Sequence, residues 1–199
     1  MEIVDKWRKN NPHSILHFEI ASTQDKTIRK HLVDKLAKEV DSLGFNEREL
    51  IDILEVIGEE ELAAQCDKAT NSSNLFKGML KVYEYTQCPR IQLHMFGLYV
   101  TLQKAGFKVT PIQNRKGMQL AANIAATKAG TGAINSKDVL LWSSNQEVSD
   151  IGLKELKSLS ETVSQLFGTN NLMEEGLFAN NELEIIAVPT IIIDKPITL

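Results

Sequence analysis

The sequence predicts a layered α/β sandwich, and three observations favour this fold class. Short apolar runs that are typical of strands alternate with longer segments in which apolar residues recur at helical spacing. No linker and no internal repeat divides the chain. Of its 199 residues, 43% are hydrophobic and 24% are charged, which is ordinary for a globular domain with its own core. We therefore expect one domain in which helices pack on a sheet.

The first half of the chain predicts a strand followed by helices. Residues 14–20 form a largely apolar run between a proline and a polar turn, as expected for a strand. In residues 26–40 the apolar side chains recur at helical spacing, opposite a basic face. Gly58 can end a later helix in the left-handed conformation. Further helices are expected over residues 50–57, 59–68 and 74–85.

The second half of the chain predicts helices between strands. Cys88 and Pro89 break the helical pattern, and residues 90–94 then alternate polar with apolar side chains, as a strand does. Residues 98–102 continue as strand before Gly106 turns the chain. Helices are expected over residues 118–129 and 153–167. The last apolar run, residues 182–194, is β-branched and predicts a hairpin in the sheet core around Pro189 and Thr190.

The charge and cysteine content exclude several classes of protein. A formal net charge of -4, from 22 basic and 26 acidic side chains, gives no electrostatic reason to bind nucleic acid or an anionic membrane. No signal peptide is visible, and the strongest apolar run, residues 183–193, is shorter than the ~20 residues that span a bilayer. Cys66 and Cys88 form no CxxC pair, so neither a zinc site nor a disulfide is indicated. We expect a soluble protein of the reducing cytoplasm.

One motif, Asn46-x-x-Glu49 at the start of an apolar helix, has two interpretations. The first is a capping box, in which Asn46 accepts a hydrogen bond from the amide of Glu49 and Glu49 reaches back to the amide of Asn46. The second is an anion and metal site, because a helix N-terminus and a carboxylate can share the charge of a phosphate and Mg²⁺. Both interpretations can hold at once.

Two other residues are candidates for a site. Glu19 lies in an otherwise apolar strand, where a buried carboxylate needs a partner or a metal, although an exposed pair of His17 and Glu19 at a sheet edge explains it equally well. His94 closes a strand and is followed by Phe96, so it is either an ordinary core histidine or the rim of a site for a flat ligand such as a purine.

In this order along the chain, the motifs resemble those of the ADP-dependent glucokinase and phosphofructokinase family, which has a ribokinase-like fold. Residues 17–22 resemble the family's HxE segment, and residues 41–50 resemble the stretch that holds its NxxE motif. Residues 90–94 with Gly97 resemble its nucleotide-site strand, and residues 188–196 its penultimate strand. The likeness covers nearly the whole chain, residues 1–199, as a partial ribokinase-like α/β domain without its lid.

The resemblance implies Mg²⁺-dependent transfer of the β-phosphoryl group of ADP to a hydroxyl of glucose or fructose 6-phosphate in glycolysis, with AMP as product. By the same likeness, Glu19 and Glu49 help to hold Mg²⁺, largely through water. Asn46 would lie beside the ADP phosphates. The residues expected to border the adenine nucleotide are His94, Met95 and Ile193.

The sequence departs from the family pattern in three ways. It ends before the family's GxGD loop, whose aspartate activates the sugar hydroxyl, so no catalytic residue is assigned. Only residues 1–12 precede the HxE segment, whereas the sugar-binding residues and the lid of the family come before it. Met95 stands where the family usually has threonine.

These departures leave two hypotheses. In the first, the chain is part of a sugar kinase, inactive alone and completed by other polypeptide such as a complementing N-terminal piece. In the alternative, it is a non-catalytic, truncated α/β module that retains Mg-ADP binding or serves as an interaction surface. A GxGD segment and a lid encoded beside the chain would favour the first hypothesis.

Overall fold

A mixed β-sheet organises the chain in the computed structural model, which describes residues 2–135, 142 and 145–197. Within these ranges the sheet has six strands: β1 (His17–Glu19), β2 (Ser42–Asn46), β3 (Arg90–Met95), β4 (Leu98–Lys104), β5 (Leu177–Ala179) and β6 (Leu183–Pro189). Their spatial order is β1-β2-β3-β4-β6-β5. The predicted layered α/β fold is confirmed.

Within the described ranges eight α-helices accompany the strands, and all except the first and the last overlap segments in which the sequence predicts a helix. They are α1 (Glu2–Asn10), α2 (Lys26–His31), α3 (Glu47–Ile57), α4 (Glu60–Lys68), α5 (Ser72–Thr86), α6 (Pro111–Thr131), α7 (Asp150–Phe167) and α8 (Leu172–Glu175). A π-helical segment, Leu32–Leu36, extends α2. Gly58 ends α3 with a φ of 90°, the left-handed conformation that the sequence predicts.

The strand directions bring several strand ends to one edge of the sheet. Strands β1, β2 and β3 are parallel, with Phe18 paired to Leu43 and Phe45 paired to Leu93. Strand β4 returns antiparallel to β3, and β6 is antiparallel to β4. The carboxyl ends of β1, β2, β3 and β6 therefore lie at the same edge.

The two faces of the sheet differ in chemistry. On one face the apolar side chains of the central strands pack against α3, α5 and α7 in the main core, with Phe45, Leu93 and Val100 in one cross-strand row. On the other face α6 covers only part of the sheet, and its Met118 packs with Ile186 of β6. Over β1, β2 and β3 the second face carries polar side chains.

Two features of the sheet differ from the sequence prediction. The hairpin predicted around Pro189 is wrong, because β6 ends at that residue and pairs instead with the preceding β5. Pro189 has no N–H to continue the ladder, and the amide of Thr190 donates to the carbonyl oxygen of Gly97 at 2.8 Å. Strands β2 and β5 were not predicted. The central Gly44 and terminal Asn46 of β2 resemble a turn, and β5 has only three residues.

None of the helices in the described ranges combines the length and the apolar character that a membrane crossing requires.

Candidate functional site

The candidate residues converge at the carboxyl ends of the parallel strands. Glu19 is the last residue of β1, and Asn46 is the last residue of β2. The register pairs Asn46 with His94 of β3 and pairs Glu19 with Gly44 of β2. Residues distant in the sequence thus lie near one another on neighbouring strand ends, which is where open α/β sheets bind their ligands.

Glu49 lies in the first turn of α3, directly after β2, and is only 7% exposed. Its Oε2 accepts a 2.8 Å hydrogen bond from the amide of Asn46, and the Asn46 side chain accepts one of 2.9 Å from the amide of Glu49. Its Oε1 accepts a 3.0 Å hydrogen bond from the hydroxyl of Ser22, which follows β1. The predicted capping box is confirmed, and it fixes the carboxylate of Glu49 close to the end of β1.

Glu19 has a different environment, with 51% of its side chain exposed. Its Oε2 lies 2.9 Å from Nε2 of His17, and its Oε1 lies 3.7 Å from Nε2 of His94. The side chain rests against the backbone of Gly44, where a Cβ atom would stand 1.9 Å from Oε2 of Glu19. A glycine at this position therefore makes room for the carboxylate.

A polar network behind Glu19 was not found from the sequence. His17 Nδ1 lies 2.9 Å from the hydroxyl of Ser42, which also accepts a 2.6 Å hydrogen bond from Nη1 of Arg90. Nη2 of Arg90 donates to the side-chain oxygens of Gln92 and Asn114. Burial lowers the pKa of Arg90. The alternation Arg90-x-Gln92-x-His94 was a usable signal, because it places three polar side chains on one face of a strand.

His94 stands at the boundary between the network and solvent. Its ring packs edge-to-face on Tyr99, with ring centroids 5.2 Å apart. Burial lowers the pKa of His94, and the neighbouring charge of Glu19 opposes this effect. The exposed Phe96 follows in the loop after β3, and its amide donates to Oε1 of Glu47 at 2.6 Å.

Met95 and Ile193 contribute less to this row of side chains. Met95 is buried in the main core, so its side chain is on the face of β3 opposite to that of His94. Only the backbone of Met95 is at the candidate site. Ile193 is partly exposed and follows the end of β6.

The donor groups fit a hydrated ion better than a directly ligated one. Among the described residues, no group of three or more histidine, cysteine or acidic side chains could hold a metal ion. Both oxygens of Glu49 already accept hydrogen bonds, and Glu19 is bonded to His17. Mg²⁺ keeps several of its waters and needs only one or two carboxylates. The residues therefore fit an Mg²⁺ ion that they contact largely through water.

A layered α/β domain with polar side chains at the ends of parallel strands belongs to the class of open α/β sheets, in which ligand sites typically lie at this edge. The family described as "ADP-specific Phosphofructokinase/Glucokinase conserved region" matches residues 1–198 of the chain. The chain belongs to this family.

The curated relatives include phosphofructokinases and glucose kinases, the two activities in the family description. The chain is 24% identical over 200 residues to the ADP-specific phosphofructokinase of Methanosarcina acetivorans, covering 98% of this chain and 41% of the relative. It is 31% identical over 183 residues to the ADP-dependent glucose/glucosamine kinase of Pyrococcus abyssi, covering 90% of this chain and 37% of the relative. The chain thus spans about two fifths of the length of the relatives it matches.

Solved structures of similar proteins confirm the ribokinase-like fold. The last common ancestor of ADP-dependent phosphofructokinases from Methanosarcinales superposes with a TM-score of 0.91 at 28% identity, over 99% of this chain and 41% of that one. An ADP-dependent kinase in complex with fructose-6-phosphate and ADPbetaS gives a TM-score of 0.90 at 27% identity, over 99% of this chain and 44% of that one.

Proposed function

We propose that the chain forms the Mg²⁺ and ADP side of the active site of an ADP-dependent sugar kinase. The observation that carries this proposal is the meeting of Glu19, Asn46, Glu49 and His94 at the carboxyl ends of adjacent parallel strands. The complete enzyme would transfer the β-phosphoryl group of ADP to a hydroxyl of glucose or fructose 6-phosphate in glycolysis, and release AMP. The names of the relatives support both sugars as candidates.

The residues at the start of α3 would bind the phosphates. The first turn of α3 presents backbone amides and the positive end of the helix dipole, and both favour an anion. Glu49 and Glu19 would contact Mg²⁺ through its waters. Bound there, Mg²⁺ would neutralise part of the charge of the transferring phosphoryl group. Because the carboxylate of Glu49 is held by Ser22 and by the amide of Asn46, it needs little reordering when the ion binds.

The loop after β3 would take the nucleotide base. His94 is braced by Tyr99, and the adjacent loop is fixed by the hydrogen bond from the amide of Phe96 to Glu47. Burial lowers the pKa of His94 and so favours its neutral ring, which suits contact with an uncharged purine. Met95 would contribute its backbone, and Ile193 an apolar side chain. The last two assignments rest on the family likeness alone.

Calorimetry of the chain with ADP tests this proposal. We expect ADP to bind in the presence of Mg²⁺ and more weakly after Mg²⁺ is removed with EDTA. We expect Glu49→Ala to weaken Mg²⁺-dependent binding by about ten-fold or more, since removing a group around a metal typically has an effect of this size. Glu155→Ala is the control. Like Glu49, Glu155 accepts a hydrogen bond from a backbone amide at the start of a helix, in this case the amide of Ser72 at the start of α5. Equal affinity before and after Glu49→Ala would remove Glu49 from the site.

The isolated chain is predicted to have no kinase activity. No GxGD segment occurs in the sequence, and by the family likeness the aspartate of that segment activates the sugar hydroxyl. The sugar-binding residues and the aspartate that acts as the general base would come from other polypeptide. Incubation with Mg²⁺, ADP and either glucose or fructose 6-phosphate, with AMP measured by chromatography, is expected to give no product above the rate without protein. AMP formation that depends on the sugar would contradict this prediction.

We further propose that the protein works in the cytoplasm. Cys66 and Cys88 are buried and unpaired, and burial raises the pKa of each thiol to about 11. Thiols that remain reduced in the folded protein suit a reducing compartment.

A further inference from the structure

Arg90 is a largely buried cation on the polar face of the sheet. Among the ion pairs of the described residues, none includes this guanidinium. Its hydrogen bonds go to the neutral oxygens of Ser42, Gln92 and Asn114. A largely buried charge that has no charged hydrogen-bond partner is costly, and the nearby charge of Glu19 opposes only part of this cost. Its position therefore calls for an explanation beyond simple packing.

Arg90 begins a relay of hydrogen bonds that runs through Ser42 and His17 to Glu19. Arginine can only donate, so the 2.6 Å contact makes the Ser42 oxygen an acceptor. The single proton of the Ser42 hydroxyl is then free to point at Nδ1 of His17, 2.9 Å away. A neutral His17 that accepts at Nδ1 carries its proton on Nε2, which lies 2.9 Å from Oε2 of Glu19.

Burial and further hydrogen bonds support the inner end of this chain of contacts, at Ser42 and Arg90. Ser42 is only 1% exposed, so its hydroxyl is shielded from bulk solvent. The guanidinium of Arg90 is fixed by Asn114 of α6, which in turn donates to Gln103 of β4 at 3.0 Å. At the other end, the backbone of Gly44 leaves room for the Glu19 carboxylate. The orientation of Glu19 is thus set by residues that lie behind it in the sheet.

We propose that Arg90 and Ser42 are positioning residues that orient His17 and, through it, hold the Glu19 carboxylate toward Mg²⁺-bound ADP. The proposal rests on the proposed function for the role of Glu19. In metal sites, a group that orients a ligand from behind commonly matters for affinity by about 10- to 100-fold.

The side-chain nitrogens of His17 test the relay without any ligand. In a long-range ¹H–¹⁵N spectrum at pH 8, we expect the proton of His17 on Nε2, with Nδ1 as a hydrogen-bond acceptor. Ser42→Ala should shift the Nδ1 signal of His17 toward that of a ring nitrogen that accepts no hydrogen bond, and Arg90→Met should shift it in the same direction. Ser72→Ala is the matched control, because Ser72 is equally buried and bonds to Glu155 far from His17. A proton on Nδ1 in the parent chain, or an unchanged signal in Ser42→Ala, would overturn the proposal.

A double-mutant cycle tests whether the relay acts through Glu19. Ser42→Ala is expected to weaken Mg²⁺-dependent ADP binding by about ten-fold in the parent chain and to have no further effect in the Glu19→Gln background. An equal loss in both backgrounds would mean that Ser42 has only a structural role, and the positioning role would be wrong. If the parent chain shows no Mg²⁺-dependent binding, the proposed function fails, and the nitrogen spectrum alone decides the orientation of His17.

Discussion

Glu49 combines two tasks at the end of β2. It closes the capping box of α3 and at the same time presents a nearly buried carboxylate at the sheet edge. The capping role was predictable from the sequence because it depends on residues three apart. The metal role stays a prediction that the family likeness motivates. The hydrogen bond from Ser22 brings the segment after β1 to the same carboxylate.

The sequence could indicate the polar face of β3, but not the contact between Ser42 and Arg90 behind Glu19. Ser42 and Arg90 are far apart in the chain, and only the parallel register of β2 and β3 brings them together. Nothing local in either segment indicates this pairing, because strand register is set by the packing of the whole sheet. The contact between Ser42 and Arg90 could be found only once the strand order was known.

A single glycine tests the placement of Glu19. Gly44→Ala would introduce a Cβ atom 1.9 Å from Oε2 of Glu19, so the flexible end of that side chain must move away from His17. We expect Mg²⁺-dependent ADP binding to fall by about ten-fold. The free energy of unfolding should change by less than about 1 kcal/mol, because the Cβ atom would meet only the end of Glu19 and, at 3.0 Å, Cε1 of His17, and both side chains are half-exposed. Calorimetry and thermal unfolding measure the two quantities.

Gly117→Ala is the matched control for this substitution. Gly117 lies inside α6, and no atom lies within 4 Å of the place that a Cβ atom would take. Alanine there is expected to stabilise the chain by about 0.5–1 kcal/mol and to leave ADP binding unchanged. If Gly44→Ala binds ADP as tightly as the Gly117→Ala variant, the orientation of Glu19 does not matter for binding.

At the scale of elements, the helices were predicted better than the strands. Apolar periodicity and the caps located α3, and a longer α6 extends the predicted segment at its N-terminus to Pro111, with Thr110 as its cap. The short β2 and the hairpin assigned around Pro189 show the limits of local patterns. A strand buried on both sides has no alternation to reveal it, and a β-branched run does not indicate its partner strand.

The caps of α3 and α5 provide a matched pair of variants. Asn46 accepts from the amide of Glu49, and Asn71 accepts from the amide of Asn74. Asn46→Ala and Asn71→Ala should each lower the free energy of unfolding by about 1 kcal/mol, since each removes one cap. Only Asn46→Ala should also weaken Mg²⁺-dependent ADP binding. Urea unfolding gives the stabilities and calorimetry the affinities. An equal loss of affinity in both variants would show that Asn46 acts through stability alone.

At the scale of the whole molecule, the topology creates the site. Strands β1, β2, β3 and β6 end at one edge, while the hairpin of β3 and β4 places His94 beside its brace Tyr99. The order of motifs in the sequence identified the family, but it did not give the distances between them. Those distances follow from the register of neighbouring strands, which no single segment encodes.

We expect Mg²⁺-bound ADP to occupy this edge of the sheet. A map of backbone amide shifts in the isolated chain, recorded when ADP is added with Mg²⁺, tests this directly. The largest shifts are expected to cluster at the carboxyl ends of β1, β2 and β3 and at the first turn of α3, and to shrink when Mg²⁺ is replaced by EDTA. Shifts centred elsewhere, for example on the roughly 400 Å³ cavity beside Thr110 and Phe178, would contradict it. So would the absence of any Mg²⁺-dependent shift.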